Sequence, residues 1–401
     1  MRWWVLAFVL FAAACDPLPV PVSTPLPTPM MSTSWGMPSA LTWATTFDSP
    51  ALYTDGDEIV IGAFERYSDT PTLTIYRNGV RTQSNVAARQ PYELNLFPTD
   101  SRGTLALWLD DDGTGIQKLY AARLNDVGFS ERGSIAVSSS AVTRYTAAAM
   151  PDDGLWAVWS TPNAGESTLI GSRLDAQGRA RAPQPLRVNA DYPAIAVTNA
   201  GNVLLFWMEG NRRDLYRSEL IETGLTLVAN LASAPVPFSA ADHLIALKAG
   251  IDNTHIYIIW QTLAASGVNE GWYTSGMLAE KTMPGARLLR AITTQDSVQT
   301  GFNHGVAFAA ASGNEGIAAV WASPAPGQND TLPVATFAGD TLGILYFRGG
   351  DVFASQTIGS LPRKPIAPPR IAVDGERDLV LAWWLPDTRQ EAVLFLVESR
   401  R

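Results

Sequence analysis

Six residues recur at one place in this sequence, and their types suit them to hold a polar ligand. Counting back 13 to 17 residues from Trp108, Trp159, Trp207, Trp260, Trp321 and Trp383 arrives at Tyr92, Tyr145, Tyr192, His243, His304 and Arg370. Beside them stand Glu93, Arg144, Asp191, Asp242 and Asn303. Phenol, imidazole, guanidinium and carboxylate groups gathered on one rim stack on a ligand and hydrogen-bond it. A strand entering a water-filled channel also carries polar residues with no ligand at all, so the pattern nominates a rim without naming its occupant. The acids Glu93, Asp191 and Asp242 are those from which acid–base cleavage of a glycan would draw. The sequence has no Gly-x-Ser-x-Gly elbow, no His-Glu-x-x-His helix and no phosphate-cradling glycine loop. Asp110, Asp111 and Asp112 pack three carboxylates before Gly113. The remaining ligand pattern of a calcium loop is missing, so they are read as a solvated turn. No metal and no cofactor is expected.

The elements that must position these residues come from an internal repeat. Seven segments share one pattern: Tyr53 to Phe64, Pro98 to Trp108, Met150 to Trp159, Val197 to Trp207, Gly250 to Trp260, Ala311 to Trp321 and Val373 to Trp383. Each has a turn of Asp, Asn and Gly followed by a strand of alternating apolar residues that closes on an aromatic. The closing aromatics lie 44 to 62 residues apart, the length of one four-stranded sheet with its loops. Lys118 to Leu124, Thr168 to Leu174 and Asp214 to Leu220 read as third strands. The closing aromatics are read as core that packs between neighbouring sheets rather than as sugar-stacking platforms. The last repeat ends one strand short at Val393 to Ser399, and Ala40 to Phe47 is available to supply that strand. The expected architecture is all-β: a seven-bladed β-propeller of four-stranded antiparallel blades, closed by an N-terminal strand, which removes exposed sheet edges.

The stretches Pro193-Ala-Ile-Ala196 to Trp207 and Pro369-Arg-Ile-Ala372 to Trp383 resemble the sialidase-like and BNR-like propeller repeats of bacterial surface proteins. The likeness spans nearly all of residues 38–401 and is low in specificity. The Asp-box turn of that family occurs nowhere intact, and neither its arginine triad nor its Tyr and Glu nucleophile pair can be assigned. The resemblance therefore implies the fold and not sialidase activity.

The amino terminus reads as an address. Arg2, the apolar run Trp3 to Phe11 and the small residues Ala12 to Ala14 precede Cys15, the only cysteine. This resembles a bacterial lipoprotein signal peptide with its lipobox, which implies cleavage before Cys15 and a diacylglycerol anchor on its thiol. The run is too short to span a bilayer as a helix. The proline-studded stretch after it suits an extended, semi-rigid tether. The expected organisation is a signal peptide at 1–14, a lipid-anchored Pro/Thr-rich linker at 15–37 and the propeller at 38–401. A single cysteine excludes an internal disulfide framework. A net charge of −9 with no run of Lys or Arg lacks the footprint of a nucleic-acid binder.

Together these readings describe an envelope lipoprotein on the outer face of a membrane, in the periplasm or at the cell surface. Its partners would be that membrane, through Cys15, and a protein or glycan ligand. The first expectation is a non-catalytic binding propeller whose channel mouth carries Tyr92, Tyr145, Tyr192, Asp191, His243, His304 and Arg370. The alternative is a propeller-type carbohydrate-active hydrolase or lyase.

Overall fold

The structure is a computed structural model. It describes residues 34–44 and, with short breaks, 50–230, then 243–251, 255–264, 267–276, 288–292, 316–319, 332–338, 341–348, 351–360, 369–373, 379–386 and 392–400. These residues form strands grouped into seven antiparallel sheets of four or five strands. Sheet one runs Ala51–Asp55, Glu58–Glu65, Thr72–Arg77 and Val80–Ala87. Sheet two runs Tyr92–Pro98, Thr104–Asp111, Gln117–Leu124 and Ile135–Ala136. Sheet three runs Arg144–Ala149, Leu155–Asn163, Glu166–Leu174 and Ala180–Val188. Sheet four begins with Ala190–Val197, Val203–Glu209 and Asp214–Ile221. Sheet five begins at His243–Ile251, sheet six at Gly316–Ala319 and sheet seven at Arg370–Val373. The first strand of each sheet neighbours the first strand of the next, and the first strand of sheet seven neighbours that of sheet one. This is the radial arrangement of a β-propeller.

The second strands are apolar on both faces because each is covered from both sides. Thr104–Asp111 is buried along its length except at its last residue. Leu105, Leu107 and Leu109 join the core shared with sheet three, while Ala106 and Trp108 join the core shared with sheet one. The same period of two places Trp159 against sheet two, Trp207 against sheet three and Trp383 against sheet six. Three of these aromatics also stack on the ring directly opposite on their third strand. The pairs are Trp108 with Tyr120, Trp207 with Tyr216 and Trp383 with Phe395, with centroids 5.8–6.1 Å apart.

Sheet seven takes in the amino-terminal strands. Ser39–Ala44 pairs antiparallel with Ala392–Arg400, with Ser39 opposite Leu396 and Ala44 opposite Ala392. Ser34–Trp35 pairs with the end of that same strand, Ser34 opposite Arg400.

Two features of the repeat differ from the sequence reading. Phe64 does not share the face of the other closing aromatics. Ile59, Ile61 and Ala63 face sheet seven, so period-two alternation turns Phe64 toward sheet two, where its ring lies 5.3 Å from that of Trp108. In sheet six, Gly316–Ala319 is the first strand rather than the second. Its partners are three strands close together in sequence, Leu332–Ala338, Thr341–Arg348 and Asp351–Ser360. Local hairpins form that meander, which leaves one inner strand for the segment upstream to supply.

Candidate functional site: the rim of the inner strands

The residues that open the inner strands of sheets two, three and four touch one another, and the opening of sheet seven touches the start of sheet one. Two of these openings are bulged. In sheet two, Tyr92 pairs with Leu109 and Asn95 with Leu107, so three steps on the inner strand face two on its partner. In sheet four, Asp191 pairs with Met208 and Ala194 with Phe206, the same offset. Glu93 and Tyr192 occupy these bulges with φ of 54° and 57°, a left-handed conformation costing roughly 1–2 kcal/mol for a residue with a Cβ. Bulges of this kind re-aim side chains. Such strain persists only where the surroundings enforce it.

The enforcing groups are two consecutive residues of sheet three, which has no bulge there: Arg144 opposes Ser160 and Tyr145 opposes Trp159. Tyr145 turns toward sheet two and is buried. Its hydroxyl lies 2.5 Å from the Glu93 carbonyl oxygen and 2.8 Å from that of Leu107, and it accepts from Asn95 Nδ2 at 2.7 Å. Asn95 Nδ2 also reaches the Glu93 carbonyl at 3.2 Å. Arg144 turns the other way. Its Nη1 donates to Asp191 Oδ2 at 2.9 Å, and its guanidinium carbon stands 3.7 Å from the centroid of the Tyr192 ring. Asp191 Oδ1 accepts from the Tyr192 backbone N–H at 2.8 Å, which ties the bulge to the ion pair. Both side chains of that pair remain 29% exposed, so their charges are within reach of solvent.

The rim residues nominated by the sequence thus fall into distinct places. Tyr192 and Asp191 come together around Arg144. Tyr145 is instead the buried clamp on Glu93. Tyr92 is half-buried and packs against the core between sheets two and three. Arg370 opens the first strand of sheet seven and donates from Nε to the Pro50 carbonyl at 3.2 Å, joining that sheet to sheet one. His243 opens its strand as expected, and its side chain lies outside the described part, as do His304 and Cys15. The three tyrosines are not equivalent in register. The bulges align Tyr92 with Arg144 and Asp191, one position from where simple counting puts them. Counting named Glu93 and Tyr192 but not their left-handed backbone, and it missed Asn95, although the unequal spacings of 16, 14 and 15 residues to Trp108, Trp159 and Trp207 carry that offset.

Some second strands end in acids that are already engaged. Asp110 is buried and accepts from the backbone N–H groups of Arg89, Gln90 and Asp111. Asp112 bonds Thr114 and Lys118, and these bonds hold its carboxyl below the ordinary range. Glu65 is buried against the Tyr76 hydroxyl and pairs with Arg81 at 2.9 Å. Among the described residues no cluster of three His, Cys, Asp or Glu could hold a metal ion.

No family model matches this sequence, and no curated protein matches it. The fold does match solved structures. A polysaccharide lyase superposes with a TM-score of 0.55 at 8% identity, over 89% of this chain and 91% of that one. The alpha-L-arabinofuranosidase of Fusarium graminearum gives 0.46 at 9% identity, over 77% and 92%. A glucose dehydrogenase gives 0.46 at 12% identity, over 91% and 100%. The lyase likeness shows that the chain has a β-propeller fold of the kind found in carbohydrate-active enzymes; at such identity it shows nothing about activity.

Proposed function

We propose that this protein is a carbohydrate-active propeller that engages a polysaccharide at the rim formed by Glu93, Arg144, Asp191 and Tyr192. The observation carrying this reading is the pair of left-handed bulges on sheets two and four, one bearing Glu93 and the other Tyr192, with the Arg144 guanidinium of the sheet between them stacked on Tyr192 and paired with Asp191. Rings and paired charges on a rigid scaffold bind sugars through stacking and directed hydrogen bonds. Glu93 is the group assigned to proton transfer in a hydrolase or lyase reaction. Seven blades closed at sheet seven, a lipidated Cys15 and a linker that ends before the strand at Ser34, four residues earlier than the boundary at 37 read from the sequence, complete the reading: an envelope protein holding this rim clear of a membrane.

A second reading is a rim that binds glycan without cleaving it. It is favoured by Asp191, whose two oxygens are already held by Arg144 and by the Tyr192 N–H. One experiment separates the two. Neutral and carboxylated polysaccharides are incubated with the protein, and both binding and chain length are followed. Shortened chains that disappear with Glu93→Gln favour the enzyme; binding lost in Arg144→Ala without any shortening favours the binder. No binding and no cleavage across the panel would rule out both.

A further inference from the structure

Arg144 and Tyr145 are neighbours on one strand, so their side chains leave its opposite faces, and each meets a strained bulge of a different sheet. We infer that this dipeptide is a two-sided clamp that pre-organises the rim, with Tyr145 as the positioning residue for Glu93. The inference rests on the proposed reading for what the rim binds, and on geometry alone for how it is held.

On one side, the Tyr145 hydroxyl has one proton to share between the carbonyl oxygens of Glu93 and Leu107, which belong to adjacent strands of sheet two. It therefore fixes the bulge against the strand it departs from, and Asn95 closes the ring by donating to both the hydroxyl and the Glu93 carbonyl. On the other side, Arg144 draws Asp191 and the Tyr192 ring together. These contacts oppose the backbone strain of each bulge, and weakening them lets each inner strand relax toward a regular ladder. A one-residue slip of that kind sends the next side chains to the opposite face. Glu93 and Tyr192 would then leave the rim. The ligand class that fits is an oligosaccharide long enough to reach from Glu93 to Tyr192, crossing the inner strand of sheet three.

The test reads each bulge separately. Hydrogen exchange is measured in the full-length protein for Tyr145→Phe, Asn95→Ala and Arg144→Gln. Loss of a hydrogen bond of ordinary strength predicts exchange about tenfold faster at the amides of Glu93 and Asn95 in the first two variants. In Arg144→Gln the faster amide is that of Tyr192, with Glu93 unchanged. Unchanged exchange in all three, or equal acceleration at both bulges in each, would overturn the clamp. Affinity is then measured for hexasaccharides of neutral and uronic acid type. Under the clamp, Tyr145→Phe weakens binding as much as Glu93→Gln, and the double variant is no weaker than either single one. Wild-type affinity in Tyr145→Phe would overturn the positioning role. If no hexasaccharide binds the unaltered protein, the saccharide reading fails, and the exchange pattern still decides the clamp.

Discussion

Gly178 shows how little freedom some single positions have. Its φ is +80°, and a Cβ placed there would stand 2.6 Å from that of Ala121 on the preceding sheet. The turn is tied by Asp175, whose carboxylate accepts from the N–H groups of Gln177 and Arg179. Gly178→Ala is therefore expected to lower stability by about 2 kcal/mol or more, combining left-handed strain with a contact that rigid backbone cannot relieve; urea denaturation measures it. Between sheets one and two, the Tyr53 hydroxyl bonds the Thr104 hydroxyl at 2.8 Å, and Arg77 donates to that Thr104 oxygen at 2.9 Å. Burial raises the Tyr53 pKa above 10.0, partly offset by the Thr104 bond and the Arg77 charge. A raised folded-state value means the native protein keeps this proton after the unfolded chain has lost it. Stability from Tyr53 is thus complete below its ordinary pKa and is lost as the pH climbs through the folded value. Thermal midpoints followed across alkaline pH should show a loss in the native protein that Tyr53→Phe does not share.

At the scale of elements, the wedge-like packing of the closing aromatics yields the largest expected effects. Trp207 is fully buried between sheets three and four, and its indole N–H donates to Glu209. Trp207→Ala should cost about 3–5 kcal/mol, the range for deleting a buried aromatic, whereas Trp207→Phe should retain most of the packing; differential scanning calorimetry distinguishes them. Asp110 organises the link from sheet one to sheet two by accepting from Arg89 and Gln90. Asp110→Ala leaves these backbone donors without their acceptor, and protease cleavage near residue 89 should accelerate. Much of this layer was legible in the sequence. Six of the seven second strands fall where the repeated phrase puts them, because a strand covered on both faces must be apolar throughout. The sixth repeat was misplaced by one strand, since local pairing of Thr341–Arg348 with Asp351–Ser360 outranks a distant likeness of pattern. The bulges were hidden for a different reason. A one-residue offset changes register without changing composition, so Tyr92, Tyr145 and Tyr192 looked alike while only the neighbouring sheet decides which way each turns. Edge chemistry, by contrast, is readable after the fact. The outer strand Ala180–Val188 carries Pro183 and Pro185, which lack the N–H that another strand would need.

Across the whole molecule, sheet seven is where the two ends of the chain meet. Removing residues 34–44 would strip the partners from Ala392–Arg400 and uncover that strand's pairing edge. The shortened protein is expected to melt at lower temperature and to associate through this edge, which light scattering during a thermal ramp would detect. The same pairing carries a consequence for biogenesis. Ser39 and Leu396 are partners 357 residues apart, so a nascent polypeptide cannot make this contact until Ala392–Arg400 has left the ribosome. Sheets one to six can assemble in order of synthesis before that strand emerges, but this join waits for it. Under the proposed envelope location, that delay would keep the chain threadable until it has crossed the membrane.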